Sequence, residues 1–234
     1  MNLTDFLPIP DLETCRSLLC IQPHPDDNEV GAGATIARLV RNGCSITYLT
    51  VTDGSKGTAD PHLRGKALAG IRRKEAETAA ALLGVSTHVF LDYEDGSYPD
   101  EKALFDSISS VIREVKPQFV MTVDPFLPYE GHPDHRKVGM AATEACIANA
   151  VECIVYQSTA NPNTFINADD TWDMKNQAIL AHTSQFSPDS FAMLGAYFDF
   201  KARQYAEGRG YVRAEAFKVL PTLLLHMCVD TINL

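Results

Sequence analysis

Ser17-Leu18-Leu19-Cys20-Ile21-Gln22-Pro23-His24-Pro25-Asp26-Asp27-Asn28-Glu29 runs from an apolar stretch straight into a turn crowded with an imidazole and three carboxylates. Ser17–Gln22 is too short for a helix of ordinary length and reads as a buried strand. After the turn, Gly31–Asn42 has helical spacing, with Ile36, Leu39 and Val40 on one face, and Asn42-Gly43 is a suitable stop. The same arrangement recurs downstream. Gln118–Val123 reads as a strand, the turn Gly131-His132-Pro133-Asp134-His135-Arg136 follows, and Asp134–Ala150 has a helical pattern.

Further strands are predicted at Ser45–Thr52, His88–Leu91 and Glu152–Gln157, and helices at Gly65–Leu83 and Glu101–Val115, the latter stopped by Pro117. This strand–helix alternation predicts an α/β, Rossmann-like three-layer fold with a mainly parallel sheet in the order 3-2-1-4-5. Beyond Ser158 the pattern loosens into a Pro/Asn loop. Helices are expected at Trp172–Ala181 and Pro188–Glu207, then an apolar segment near Phe217–Val229. With no shift in composition, residues 1–234 read as one domain, with a core at about 15–158 and a C-terminal α/β elaboration at about 159–234. Ligands of open parallel sheets sit beyond the carboxyl ends of the strands, where the strand order reverses. The first and fourth strands flank that point, so topology brings the two acidic, imidazole-bearing turns together.

The 234 residues carry 20 Lys+Arg against 30 Asp+Glu, a formal net charge of −10, which argues against nucleic acid as a partner. The one basic cluster, Arg72-Arg73-Lys74, is followed at once by Glu75 and Glu77 and reads mostly as a solvated helix face. None of the 6 cysteines forms a C-x-x-C pair, and they read as buried free thiols in a reducing compartment. Met1–Asp5 has no positive n-region, and no apolar run approaches the roughly 20 residues that span a bilayer. A cytoplasmic protein without a membrane span is the expectation.

In the first turn, His24 and Asp27 stand three apart, and imidazole nitrogen with carboxylate oxygen suits Zn²⁺ and, less selectively, other first-row metals. Asp26 is left free to take a proton. The competing reading is that Asp26 or Asp27 simply N-caps the next helix. Adjacent carboxylates beside a histidine weaken that alternative, because they repel unless a cation or proton lies near. Gly31-Ala32-Gly33-Ala34-Thr35-Ile36 resembles part of a dinucleotide fingerprint, but Ile36 takes the third glycine's place. Close helix–sheet packing explains these glycines better.

In the second turn, His132 and His135 are again three apart. One imidazole would complete a three-ligand site with a position open for water. The other would act as general acid or as a donor to a developing oxyanion. Asp134 would orient an imidazole from behind. His62, His88, His182 and His226 lack this density and read as structural, with His182, at the end of an amphipathic helix, the one to watch. No Gly-x-Ser-x-Gly elbow is present, so a covalent nucleophile is not indicated.

On these residues the chain resembles the PIG-L/LmbE-like family of zinc-dependent N-deacetylases. His24–Glu29 matches the family's His-Pro-Asp-Asp-x-Glu motif, and His132–His135 its His-x-Asp-His motif. Arg72-x-x-Glu75, Asp95-Gly96 and Lys175-x-x-Ala178-x-x-x-His182-x-Ser184-Gln185 extend the similarity. Tyr129–Arg136 looks closer to the diacetylchitobiose deacetylase branch. Asn28 departs from many members. The resemblance implies one Zn²⁺ per chain on His24, Asp27 and His135, Asp26 as general base, and His132 as the group that stabilises the intermediate or protonates the leaving amine. Arg72 and Asp95 would hold sugar hydroxyls. It also implies an N-acetylated amino sugar or glycoconjugate as substrate and a homo-oligomer, trimer or hexamer. Two rivals stay open: a metal-dependent phosphoesterase, and a non-catalytic carbohydrate-binding module.

Overall fold

The computed structural model describes residues 9–98 and 100–227. Five parallel strands alternate with helices: β1 (Ser17–Gln22), α1 (Asp27–Arg41), β2 (Ser45–Thr52), α2 (Lys66–Leu82), β3 (Thr87–Tyr93), α3 (Glu101–Val115), β4 (Phe119–Val123), α4 (Pro133–Ala148) and β5 (Cys153–Gln157). There follow β6 (Thr164–Asn167), α5 (Trp172–Leu180), α6 (Pro188–Ala206), β7 (Ala214–Pro221) and α7 (Leu224–Met227). The seven-stranded sheet has the order β3-β2-β1-β4-β5-β7-β6. The expected 3-2-1-4-5 order is present, and the C-terminal segment extends it by two strands. β7 runs antiparallel to β5, with Val155 opposite Val219, and β6 antiparallel to β7.

Because β1 and β4 pair in parallel, with Leu18 opposite Phe119, each sends its chain out at the same edge. β1 presents successive side chains to opposite faces, as the period of two requires. Leu18 and Cys20 join a core under α1, α2 and α5, while Leu19 and Ile21 join a second core under α3 and α4. A strand buried on both faces is apolar throughout, which is why Ser17–Gln22 reads as a continuous run.

Two local expectations need correction. The helix expected from Gly31 starts at Asp27, so the His24–Asp27 turn is itself the helix entry. The Pro/Asn loop contains a strand, β6, whose pairing partner lies about fifty residues further on in β7. Part of the apolar segment near Phe217–Val229 is β7 and α7, and its end lies outside the described residues, as do the Met1–Asp5 leader reading and Cys228. No helix among the described residues is long and apolar enough to cross a membrane.

Candidate metal centre

Asp26 occupies the N-cap position of α1, yet its side chain makes no capping bond. Its backbone sits at φ 135°, a conformation that L-residues with a side chain rarely adopt. Arg72, from α2, holds that conformation from outside. Its Nη2 donates to the Pro25 carbonyl at 2.7 Å and to the Asp26 carboxylate at 3.1 Å, and its Nη1 donates to the Gly54 carbonyl at 3.1 Å. A Cβ on Gly54 would stand 2.6 Å from this guanidinium, so only glycine lets the loop wrap it. Strained backbone of this kind persists only where neighbours over-determine it.

Asp27 begins the helix and faces the other way. Its Oδ2 accepts from the His24 amide at 2.8 Å and lies 3.4 Å from His24 Nδ1, while its Oδ1 lies 3.4 Å from His135 Nε2. One carboxylate thus bridges the imidazoles of the two turns. The far nitrogen of each imidazole meets another carboxylate: His24 Nε2 is 3.2 Å from Asp134 and 3.5 Å from Asp95, and His135 Nδ1 is 3.1 Å from Glu130. Carboxylates behind ligand histidines fix the ring's tautomer and strengthen it as a donor. The candidate ligand atoms draw together in two sets: His24, His132 and His135 offer one atom each within 4.8 Å of one another, as do His24, Asp95 and Asp134. The expected trio of His24, Asp27 and His135 is tied together by Asp27's two oxygens rather than by a single tight cluster.

His132 caps α4, and its Nδ1 accepts from the Asp134 amide at 3.2 Å. An accepting Nδ1 leaves the ring's proton on Nε2, where it can be donated. Its ring centroid is 4.6 Å from that of His24 and 4.9 Å from that of His135.

The electrostatics separate these groups. Burial alone would depress His24, but the hydrogen bonds it donates to Asp134, Asp27 and Asp95 hold it up to about 12. Burial pushes Asp26 up to about 6, against the pull of Arg72, and the Asp27 charge adds to the rise. Asp27 is held far below the usual carboxylate range because the bonds from His135 and His24 outweigh its burial. His132 is lowered by burial and by the two neighbouring imidazoles. The turn pair therefore offers a cation's environment at His24, an ionised bridging carboxylate at Asp27, and a carboxylate poised near neutrality at Asp26. Imidazole nitrogens mixed with carboxylate oxygens are the donors Zn²⁺ takes.

Arg72 and Asp95, expected at sugar hydroxyls, are turned inward. Arg72 is 3% exposed and held by the contacts above. Asp95 accepts from the Lys56 amide at 3.0 Å and faces His24. Asp134, whose imidazole partner the sequence left open, meets His24 and also accepts from the Gly96 amide at 2.9 Å. Glu130 was not singled out from the sequence, although its place two residues before His132 lets it accept from that residue's amide at 2.7 Å. His182 is fully buried against Glu29 at 3.2 Å, and near enough to Asp26 for its charge to hold that carboxyl down. The glycines of α1 do serve packing: a Cβ on Gly31 would stand 2.2 Å from Gln157 Oε1.

Comparison with known proteins identifies relatives of this chain. The chain is 35% identical over 230 residues to a diacetylchitobiose deacetylase of Thermococcus kodakarensis, covering 91% of this chain and 86% of the relative. It is 36% identical over 170 residues to a 1D-myo-inositol 2-acetamido-2-deoxy-alpha-D-glucopyranoside deacetylase of Kineococcus radiotolerans, covering 59% of this chain and 47% of that protein. The inhibitor-bound N,N'-diacetylchitobiose deacetylase of Pyrococcus horikoshii superposes with a TM-score of 0.85 at 34% identity, covering 92% of this chain and 87% of that one. Residues 19–146, which hold both turns, match the family model described as PIG-L, GlcNAc-PI de-N-acetylase. The chain belongs to the PIG-L family.

Proposed function

We propose that the protein is a metal-dependent hydrolase that removes the N-acetyl group from an N-acetylglucosamine-type amino sugar or its conjugate, with Asp26 as the general base. The observation that carries this reading is the split between the two adjacent carboxylates: Asp27 bridges His24 and His135, while Asp26 is turned away onto Arg72. Similarity to deacetylases that act on N-acetylated sugars supports the substrate class.

His24, Asp27 and His135 would hold one divalent cation per chain, Zn²⁺ by donor type, which when bound would polarise the amide carbonyl and acidify a water. Asp26, ionised above about pH 6, takes the proton of the attacking water. Arg72 keeps that carboxylate aimed, by holding both its oxygen and the Pro25 carbonyl that precedes it. His132 donates from Nε2 to the oxygen that gains charge, and a proton then reaches the departing amine. Asp134, with Asp95, orients His24, and Glu130 orients His135. Acetate and the free amino sugar leave. A phosphoesterase reading finds ligands here for a single cation, and a binding module gives Asp26 no task. A homo-oligomer fits the exposed apolar stripe of Met193, Tyr197 and Phe200, spaced along one face of α6.

Acetate release from N-acetylglucosamine, diacetylchitobiose and a glucosaminyl conjugate, beside phosphate release from a phosphomonoester, tests the reading on protein of measured metal content. Acetate from at least one sugar and no phosphate is the expected outcome. Phosphate release alone, or sugar binding without acetate, would overturn it.

A further inference from the structure

At the edge of the sheet opposite the metal centre, two thiols meet. Cys15 lies two residues before β1 and Cys44 immediately before β2, and these strands pair with Ser17 opposite Ser45. The Ser45 amide donates to the Arg16 carbonyl at 2.9 Å, so the chain is already cross-linked between the two cysteines' neighbours. The thiols are 3.7 Å apart, in van der Waals contact, where the chain enters two hydrogen-bonded neighbouring strands. Both residues are buried, 5% and 6% exposed, beside the exposed Arg16, Asn42, Gly43 and Ser45. Neither takes part in the chemistry assigned to the other edge, and every cysteine among the described residues is free.

We propose that Cys15 and Cys44 form a redox modification site, a dithiol that a small-molecule disulfide such as glutathione disulfide closes into an intramolecular bond. The Cys44 thiolate attacks one sulfur of glutathione disulfide, forming a mixed disulfide and releasing one glutathione. The Cys15 thiolate then attacks the Cys44 sulfur, forming the Cys15–Cys44 bond and releasing the second glutathione. The two thiol protons leave with the two glutathiones, and the two electrons pass to them. The closed loop would enclose β1 and α1, and with them both members of the Asp26-Asp27 pair. The bond constrains the unfolded chain and stiffens the sheet edge away from the site, so its effect falls on stability more than on turnover.

The test uses the full-length protein incubated with glutathione disulfide and then alkylated, digested and mapped by mass spectrometry without reduction. The expected result is a peptide linking Cys15 to Cys44, with the denatured protein's 6 titratable thiols falling by two. Tm should rise by about 5–10 °C and return on reduction. In C15S, a glutathione adduct should persist on Cys44. Six free thiols after prolonged incubation, or glutathione retained on Cys44 of the unaltered protein with no linked peptide, would overturn the proposal. The readout needs no substrate, so it stands or falls apart from the deacetylase reading.

Discussion

The molecule holds two histidine–carboxylate meetings that look alike in sequence and differ in surroundings. At the sheet edge, His24 faces Asp27, Asp95 and Asp134, beside the exposed His132 and the half-buried Asp26. Beneath it, His182 faces Glu29 with both side chains 0% exposed. The first meeting has more carboxylate than its histidine can neutralise and an opening toward solvent. The second is closed, one acid to one base, and joins α1 to the segment after α5. That segment is held again by Glu75, which accepts from the Ser184 amide at 2.7 Å and from the Ser184 hydroxyl at 2.6 Å. Surplus charge with access is what a cation and a substrate need. A sealed pair can only position, and a buried charge that loses its partner is costly.

Substitutions can break this contrast. The largest effect on turnover is expected from Asp26→Ala, a loss on the order of 10²–10⁴ in kcat with metal content unchanged, measured by acetate release and elemental analysis. Next, Glu130→Gln should weaken metal affinity by about 10–100-fold, measured by competition with a chelator, because His135 loses the carboxylate behind it. Arg72→Lys should lower kcat and leave KM near that of the parent, since Arg72 is itself buried and its contacts are to Asp26 and to the Pro25 and Gly54 carbonyls. A raised KM with kcat kept would return Arg72 to the sugar. Smallest in turnover is His182→Ala, which should destabilise the fold by about 3–5 kcal/mol in urea titration, by leaving Glu29 buried without its partner. Turnover per folded molecule should change less than in the Glu130 variant. If His182→Ala instead emptied the metal site, the two meetings would be one unit and the contrast would fail.

Much of the scaffold is legible locally. β1, β2 and α3 span the residues that periodicity and Pro117 predict, because each is long or strongly patterned and ends at a turn residue. The start of α1 was misplaced because Pro25-Asp26-Asp27 has turn chemistry, and only the φ of 135° at Asp26, pinned by Arg72, allows a helix to begin at once. β6 was missed because its four residues carry no period of their own and gain their order from β7. The two motif turns were readable because their groups are dense within six residues. Glu29's bond to His182, 153 residues away, was not, since a single sequence does not report which distant residues meet. Arg72 shows the same limit: its sequence signal marks the site, but its inward direction comes from the loop at Gly54.

In the proposed division of labour, Asp27 holds the cation while its neighbour Asp26 moves the proton. The most direct test measures metal content and acetate release together in Asp26→Asn and Asp27→Asn, two variants that change one oxygen each at adjacent positions. Asp26→Asn should keep the cation and lose turnover, whereas Asp27→Asn should lose the cation as well. Equal metal loss in both, or full acetate release from Asp26→Asn, would contradict it.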